Sequence, residues 1–409
     1  MCQIYSIKIA VRKLVAIVAI WSSGYISAYA DPPDAIVPYV SFAETYNSNL
    51  LYLPNSATAV QLLGSPGMSD VFRTAMAGVV IDDLIGLQHI TADINDSDVR
   101  FDRLHVLDYQ SPNVIANWNW DLSEQLTGNL GGSYQKTLAP FIYFHLPERD
   151  VQEVTVGNFD LDWRFHPSWR AVASLNSLEL NFDLPSQQQY GRNEYHTVLG
   201  LDYLSSTDSS IGLQVGKLRT YFPHPELVGT ESFANNSSQD EFKVKIDWVF
   251  SDKTRLQFLG GWVDRKYDVF SSQDYSGWNE RLKMDWAPTS QLLVNVTAWH
   301  EIGAVDGLTT TYAVNRGISI GPTWAATEKI RFDGVFKVEK HTFVETLFLA
   351  DTGVPQESYT SHSENLIMTY TPTLNLKITA AASHLSTATT DNTDNFSGYQ
   401  INGAIRYQF

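Results

Sequence analysis

Counting back by twos from Phe409 gives Tyr407, Ile405, Gly403, Ile401 and Tyr399, while the alternate positions are Gln408, Arg406, Ala404, Asn402 and Gln400. A period of two with one apolar and one polar face is a β-strand whose two sides meet different surroundings. The pattern returns along the chain. Phe159, Leu161, Trp163 and Phe165 oppose Asp160, Asp162, Arg164 and His166; Phe242, Val244, Ile246, Trp248 and Phe250 oppose Lys243, Lys245 and Asp247. Val114, Ala116, Trp118, Trp120 and Leu122 oppose Asn113, Asn117, Asn119 and Asp121, and Ile330, Phe332 and Phe336 oppose Arg331, Asp333 and Lys337.

The links between these stretches alternate in length. Tight turns are read at 82–86, 122–126, 165–169, 205–210, 250–254, 287–291, 326–329 and 371–375. Longer links fall at 48–69, 103–108, 138–150, 184–192, 222–239, 268–275, 304–309, 343–357 and 387–397. A soluble sandwich also alternates along its strands, but it has no reason to make every second connection long. Short periplasmic turns and long extracellular loops are the habit of outer-membrane barrels. The expected fold is therefore all-β, a transmembrane antiparallel barrel of about eighteen strands, sixteen being the alternative, with both termini periplasmic.

The chain start adds a compartment. Lys8, Arg12 and Lys13 precede an apolar core from Leu14 to Trp21, and Ala28-Tyr29-Ala30 offers a small-x-small cleavage site. Residues 1–30 are thus expected to be a signal peptide and 31–409 a single barrel domain in a Gram-negative outer membrane. The core is too short to span a bilayer as a helix. Cys2 is the chain's one cysteine and lies before that core, so disulfides and cysteine-bound metals are excluded.

Charge and composition narrow the partners. There are 28 Lys+Arg against 45 Asp+Glu; without the three leader cations this is 25 against 45, which argues against nucleic acid. Eleven Trp, 20 Tyr and 20 Phe at a mean hydropathy of −0.17 suit strands with one face on lipid and one on water. Outer-membrane lipid is the expected partner, with the barrel-assembly machinery engaging the last strand through Phe409. Oligomeric state is left open.

Catalytic and metal chemistry find no motif. A barrel hydrolase needs a Ser-His-carboxylate set on neighbouring strands, and neither His300 nor His384 stands in a recognisable nucleophile motif. His145, His166, His196 and His224 lack metal-ligand spacing. The chain is read as non-enzymatic, with no catalytic residue, metal or cofactor assigned. Attention moves to the lumen. Asp160, Asp162, Arg164, Lys243, Lys245, Asp247, Arg281, Lys283, Asp285, Arg331, Asp333 and Lys337 are expected to point inward in rows of both signs. They either pair across strands to stiffen the wall or line a hydrated path. Two extracellular links are apolar, Leu138–His145 and Phe343–Leu349, and Phe141, Tyr143, Phe144 and Phe348 are the candidates for a constriction. Packing on another subunit or extension of a strand pair are the other uses open to them.

Four stretches carry a family resemblance: Glu44–Pro54 (ETYNSNLLYLP), Leu107–Asp121 (LDYQSPNVIANWNWD), Phe258–Asp268 (FLGGWVDRKYD) and Ser276–Trp286 (SGWNERLKMDW). From about Tyr39 to Phe409 the chain resembles the EpsL-type outer-membrane proteins of exopolysaccharide biosynthesis operons. It departs from them at Ser48-Asn49-Leu50, where the family pattern is Asp-Asn-Leu. The resemblance implies a barrel that helps a surface polysaccharide cross or assemble at the outer membrane, with polysaccharide as partner. A general diffusion porin and a plugged structural scaffold are the alternatives.

Overall fold

The computed structural model describes residues 35–409 apart from 143, 229–230, 235, 270, 304–312, 344–357 and 390–394. The leader at 1–30, Cys2, Tyr143, Phe348 and most of Phe343–Leu349 therefore lie outside the described residues. Twenty strands follow in order: β1 (Ile36–Asn47), β2 (Asp70–Ile85), β3 (Gln88–Phe101), β4 (Tyr109–Ser123), β5 (Leu126–Leu138), β6 (Val151–His166), β7 (Trp169–Phe182), β8 (Arg192–Leu204), β9 (Ser210–Tyr221), β10 (Glu226–Val228), β11 (Glu231–Phe233), β12 (Ser237–Ser251), β13 (Thr254–Tyr267), β14 (Tyr275–Thr289), β15 (Leu292–Gly303), β16 (Ala313–Ala325), β17 (Ile330–Phe343), β18 (Ser358–Thr373), β19 (Leu376–Thr389) and β20 (Phe396–Gln408). β10 and β11 form a small hairpin inside one long link. The other eighteen make one antiparallel sheet.

That sheet closes on itself. β9 pairs with β12, and β20 returns to β1 with Tyr39 opposite Gln408 and Asn47 opposite Gln400. With strands about 4.8 Å apart and tilted by about 40°, eighteen of them enclose a cylinder roughly 35 Å across between backbones. Closure leaves no strand edge unpaired, which lipid would not tolerate. Among the described residues no helix is long and apolar enough to cross a membrane.

The alternation in sequence becomes an outside and an inside. Phe42, Leu199, Leu213, Val215, Phe242, Ile401 and Ile405 all face outward and are about half exposed. Such a belt is costly in water at about 25 cal/mol per Å² and costs nothing in hydrocarbon. Aromatic side chains edge it on both sides. Trp118, Trp120, Trp163, Trp169, Trp248, Trp286 and Trp324, seven of the eleven tryptophans, stand near the short-turn end with Phe165, Phe250, Tyr407 and Phe409. Tyr46, Tyr195, Tyr221, Trp262, Trp278 and Tyr399 mark the other edge, where Tyr46 and Tyr399 lie 5.8 Å apart across the β1–β20 seam. These girdles fix the barrel's height in the bilayer.

The short turns are set by side-chain hydroxyls. Ser123 Oγ accepts the N–H groups of Gln125 and Leu126, Thr289 Oγ1 those of Gln291 and Leu292, and Thr327 Oγ1 those of Lys329 and Ile330. Each hydroxyl satisfies turn donors that have no ladder partner. Two inward rings lie flat on a glycine of the next strand. A Cβ on Gly78 would stand 2.7 Å from the Tyr39 ring, and one on Gly317 would stand 2.4 Å from Trp299. Both pairs are register partners. Only a residue without a Cβ lets the ring approach the strand so closely.

Candidate functional site: the lumen and its capped mouth

Inward positions carry the charges. Asp160, Asp162 and Arg164 on β6, Lys243, Lys245 and Asp247 on β12, Arg281, Lys283 and Asp285 on β14, and Arg331, Asp333 and Lys337 on β17 all share the parity of the lumen face. Their partners are as often along a strand as across strands. Lys283 reaches Asp285 at 3.1 Å, Arg331 reaches Asp333 at 2.7 Å and Lys337 reaches Glu339 at 2.5 Å, each two residues on in the same strand. Across strands, Arg281 holds Glu301 through two hydrogen bonds of 3.0 and 2.6 Å, Arg255 holds Asp247 at 2.5 Å, and Asp202 accepts from both Arg170 and Lys245. Asp160 accepts the Ser174 hydroxyl at 2.6 Å, and Asp162 lies 3.8 Å from Arg170. Arg164 turns away to the carbonyl of Pro167 in the short turn.

The two signs are not mixed evenly around the wall. From β1 to β6 the described inward face holds Asp70, Asp82, Asp93, Asp121, Asp160 and Asp162 against Arg164 alone. From β13 to β20 it holds Arg255, Arg265, Arg281, Lys283, Arg331, Lys337, Lys377 and Arg406 against Asp285, Glu301, Asp333 and Glu339. In an eighteen-strand ring β3 stands opposite β14, so the acidic and basic arcs face each other across the water. Low-dielectric walls focus such a field into the lumen. Where the arcs meet at the seam, the Arg406 guanidinium sits 3.5 Å from the Tyr39 ring centroid, and the Tyr39 hydroxyl donates to Asp93 at 2.8 Å.

Accessibility changes along the axis. Near the short turns Asp162 and Arg255 are about half exposed. Toward the long links Arg192, Glu194, Glu241, Lys243, Arg265 and Glu301 are buried. Glu241, Glu301 and Glu339 had no place among the sequence candidates although they partner Lys243, Arg281 and Lys337.

One sector of the mouth is covered. The link after β1 contains a helix, α1 (Ser56–Leu63), started by Asn55, whose side chain accepts the Thr58 N–H at 3.0 Å, and stopped by Gly64 at φ +69°. Leu50, Leu51, Leu53 and Ala59 from this link pack with Phe141 of the β5–β6 link against inward Val99 and Phe101. His145 Nδ1 lies 2.8 Å from the Leu51 carbonyl, and its ring stands 6.2 Å from Phe396 of β20. The β5–β6 link therefore reaches across to the barrel seam. Phe141 is 5% exposed and belongs to the interior of a cap, and the half-buried Phe144 packs beside it at 5.4 Å. Asn49 spends its side chain within the cap, donating to the carbonyls of Leu53 and Ser397 and accepting from the Leu53 N–H.

The cap holds a buried carboxyl. Asp150 has no exposed surface; its Oδ1 accepts the Leu184 N–H at 2.9 Å, and its Oδ2 has no hydrogen-bond partner among the described residues. Burial, with Asp183 nearby, pushes its pKa above the ordinary carboxylate range although the Leu184 N–H opposes this. The Tyr52 hydroxyl, in the same cap, is likewise pushed up by burial.

A closed eighteen-strand barrel with a lipid-facing belt and a charged lumen is the architecture of outer-membrane channels. The chain matches no protein-family model and no curated protein. Among solved structures it is similar to OpdK of Pseudomonas aeruginosa with vanillate, at 9% identity, TM-score 0.50, over 91% of this chain and 99% of that one. A BenF-like porin from Pseudomonas fluorescens Pf-5 is similar at 9% identity and TM-score 0.47, over 91% and 98%. At such identities the likeness to OpdK is one of fold alone.

Proposed function

We propose that the protein is an outer-membrane diffusion channel for small polar and ionic solutes. The observation that supports this most is the facing of an acidic arc, β1 to β6, and a basic arc, β13 to β20, across a lumen wide enough for water. A solute passing between them exchanges hydration for charged walls of both signs and meets no apolar barrier in the described wall of the periplasmic half. The cap over one sector narrows the entrance.

Reconstitution into planar bilayers tests the reading. Folded barrel gives discrete conductance steps, and the double variant Lys283→Glu/Lys337→Glu moves the reversal potential in a salt gradient toward that of the cation. A folded, inserted barrel that passes no current would refute it.

Polysaccharide export, supported by the EpsL-type resemblance, asks more of the mouth, because a threaded polymer needs a continuous wide path past the cap. Deleting the gene decides between them: loss of surface polymer with precursor held in the periplasm favours export, and unchanged polymer favours the channel.

A further inference from the structure

Three outward side chains on the last three strands meet in a line. His384 on β19 places Nε2 2.9 Å from Ser397 Oγ on β20 and Nδ1 2.7 Å from Glu364 Oε2 on β18. We propose that Ser397, His384 and Glu364 are a lipid-ester hydrolase site on the outer wall of the barrel. The geometry suits the tautomer in which Nδ1–H donates to Glu364 and Nε2 accepts the Ser397 hydroxyl. Side-chain exposure of 43% for His384 and 44% for Glu364 leaves the site open to the bilayer surface, away from the lumen.

Its position selects the substrate. Directly below it the same faces carry Tyr399, Ile401 and Ile405 on β20, Ala382, Ala380 and Ile378 on β19, and Leu366 and Met368 on β18. An acyl chain lying on that belt brings its ester to the height of Ser397. On the two strands beyond β18, Arg316 of β16 and Lys340 of β17 are outward register partners, exposed, and without an ion pair among the described residues. Several other outward cations at this edge are paired, Arg73 with Glu44 and Asp102, Arg100 with Asp98, and Lys217 with Asp240, while Arg219 of β9 stands alone among the described residues on a distant strand. The free pair suits the phosphate of an anionic acylated lipid. The substrate class is therefore a phosphorylated, ester-linked lipid of the outer leaflet.

The chemistry balances with water as co-reactant. Ser397 Oγ adds to the ester carbonyl while its proton passes to His384 Nε2; the C–O bond breaks and the leaving alkoxide takes that proton. Water then attacks the acyl-serine, giving its proton to His384, which returns it to Ser397 as the fatty acid leaves. Ser386, the register partner of Ser397 on β19, faces the same way and offers a hydroxyl to the oxyanion. Glu364 acts through His384 as a positioning residue.

The inference rests on the membrane-barrel reading, and conductance in planar bilayers checks that reading separately. Purified full-length barrel in mixed micelles is given a bis-phosphorylated lipid A-type glycolipid or a diacyl phosphatidylethanolamine, and released fatty acid is measured by mass spectrometry. The wild-type protein releases fatty acid and is labelled at Ser397 by a fluorophosphonate. Ser397→Ala abolishes both. His384→Ala lowers release by about 10²–10⁴-fold, the range general-base assistance supplies. Glu364→Gln lowers the rate and shifts its pH profile, which a purely structural contact would not do. Arg316→Gln/Lys340→Gln raises the concentration of glycolipid needed by about thirtyfold, roughly fivefold per cation. All variants keep the heat-modifiable gel shift and conductance of a folded barrel. No release of fatty acid from either lipid by folded, conducting wild-type protein, or undiminished release by Ser397→Ala, would overturn the proposal.

Discussion

Replacing Gly317 with alanine sets one methyl group against a ring that has nowhere to go. The new Cβ would stand 2.4 and 2.7 Å from two ring atoms of Trp299 and 2.8 Å from the Val338 carbonyl, where carbon contacts need about 3.5 Å or more. Trp299 is held in place. Its Nε1 donates to Glu339 at 2.8 Å, and the Arg281 guanidinium sits 5.4 Å from its ring centroid. Moving the ring sacrifices a charge-assisted hydrogen bond worth about 1.5–3 kcal/mol and a cation–π contact worth about 0.5–2 kcal/mol. Leaving it in place strains the ladder by about 1–3 kcal/mol. Gly317→Ala should therefore cost about 2–3 kcal/mol, although alanine in an unobstructed strand is better than glycine by about 0.5–1 kcal/mol. In a Trp299→Ala background the ring is gone and only the Val338 carbonyl contact remains, so the same methyl should cost clearly less, about 1 kcal/mol. Urea titration of the folded fraction in detergent, read by the heat-modifiable gel shift, measures both arms of the cycle. A Gly317→Ala barrel as stable as the wild type, or the same penalty in both backgrounds, would refute the ring-on-glycine account.

Phe141→Ala removes the ring at the centre of the cap and should loosen the two links that cover the mouth, raising single-channel conductance and its noise while costing about 3 kcal/mol of cap packing. Asn49→Ala breaks the ties to Leu53 and Ser397, and limited proteolysis should then cut within 48–69 faster than in the wild type. Asp150 gives the cap a pH dependence of known sign. Its folded-state pKa lies above the ordinary value, so ionisation opposes docking; the cap should tighten and conductance fall as pH drops from neutral through the raised pKa, and Asp150→Asn should flatten that response.

The barrel was legible because lipid enforces a contrast at every second residue. Phe242 to Phe250 against Lys243, Lys245 and Asp247 is readable by eye, and the tight turns at Ser123, Thr289 and Thr327 are announced by their hydroxyls. Legibility ends where the strands rise above the belt. There the outward positions are polar too, as with Asp240, Lys217 and Lys266, so the contrast between faces vanishes and nothing in the pattern marks Glu241 and Glu301 as inward. The apolar run at 138–145 signalled that the link must be buried, but its partner, the link carrying α1, gave no such sign. The line Glu364–His384–Ser397 depends on register across three strands, with separations of 20 and 13 residues set by loop length. No spacing rule within one strand would bring them together.

The β1–β20 seam joins the ends of the sheet: Ser41 Oγ donates to the Ile405 carbonyl across 364 positions of sequence. Until the last strand arrives, the other seventeen form an open ribbon with two raw edges, each able to template the wrong neighbour. Contacts of such long range form slowly. The route to the membrane must therefore guard both edges for as long as the final thirteen residues of β20 are missing, and a chain trimmed there would be left with two permanent docking strips in place of a pore wall.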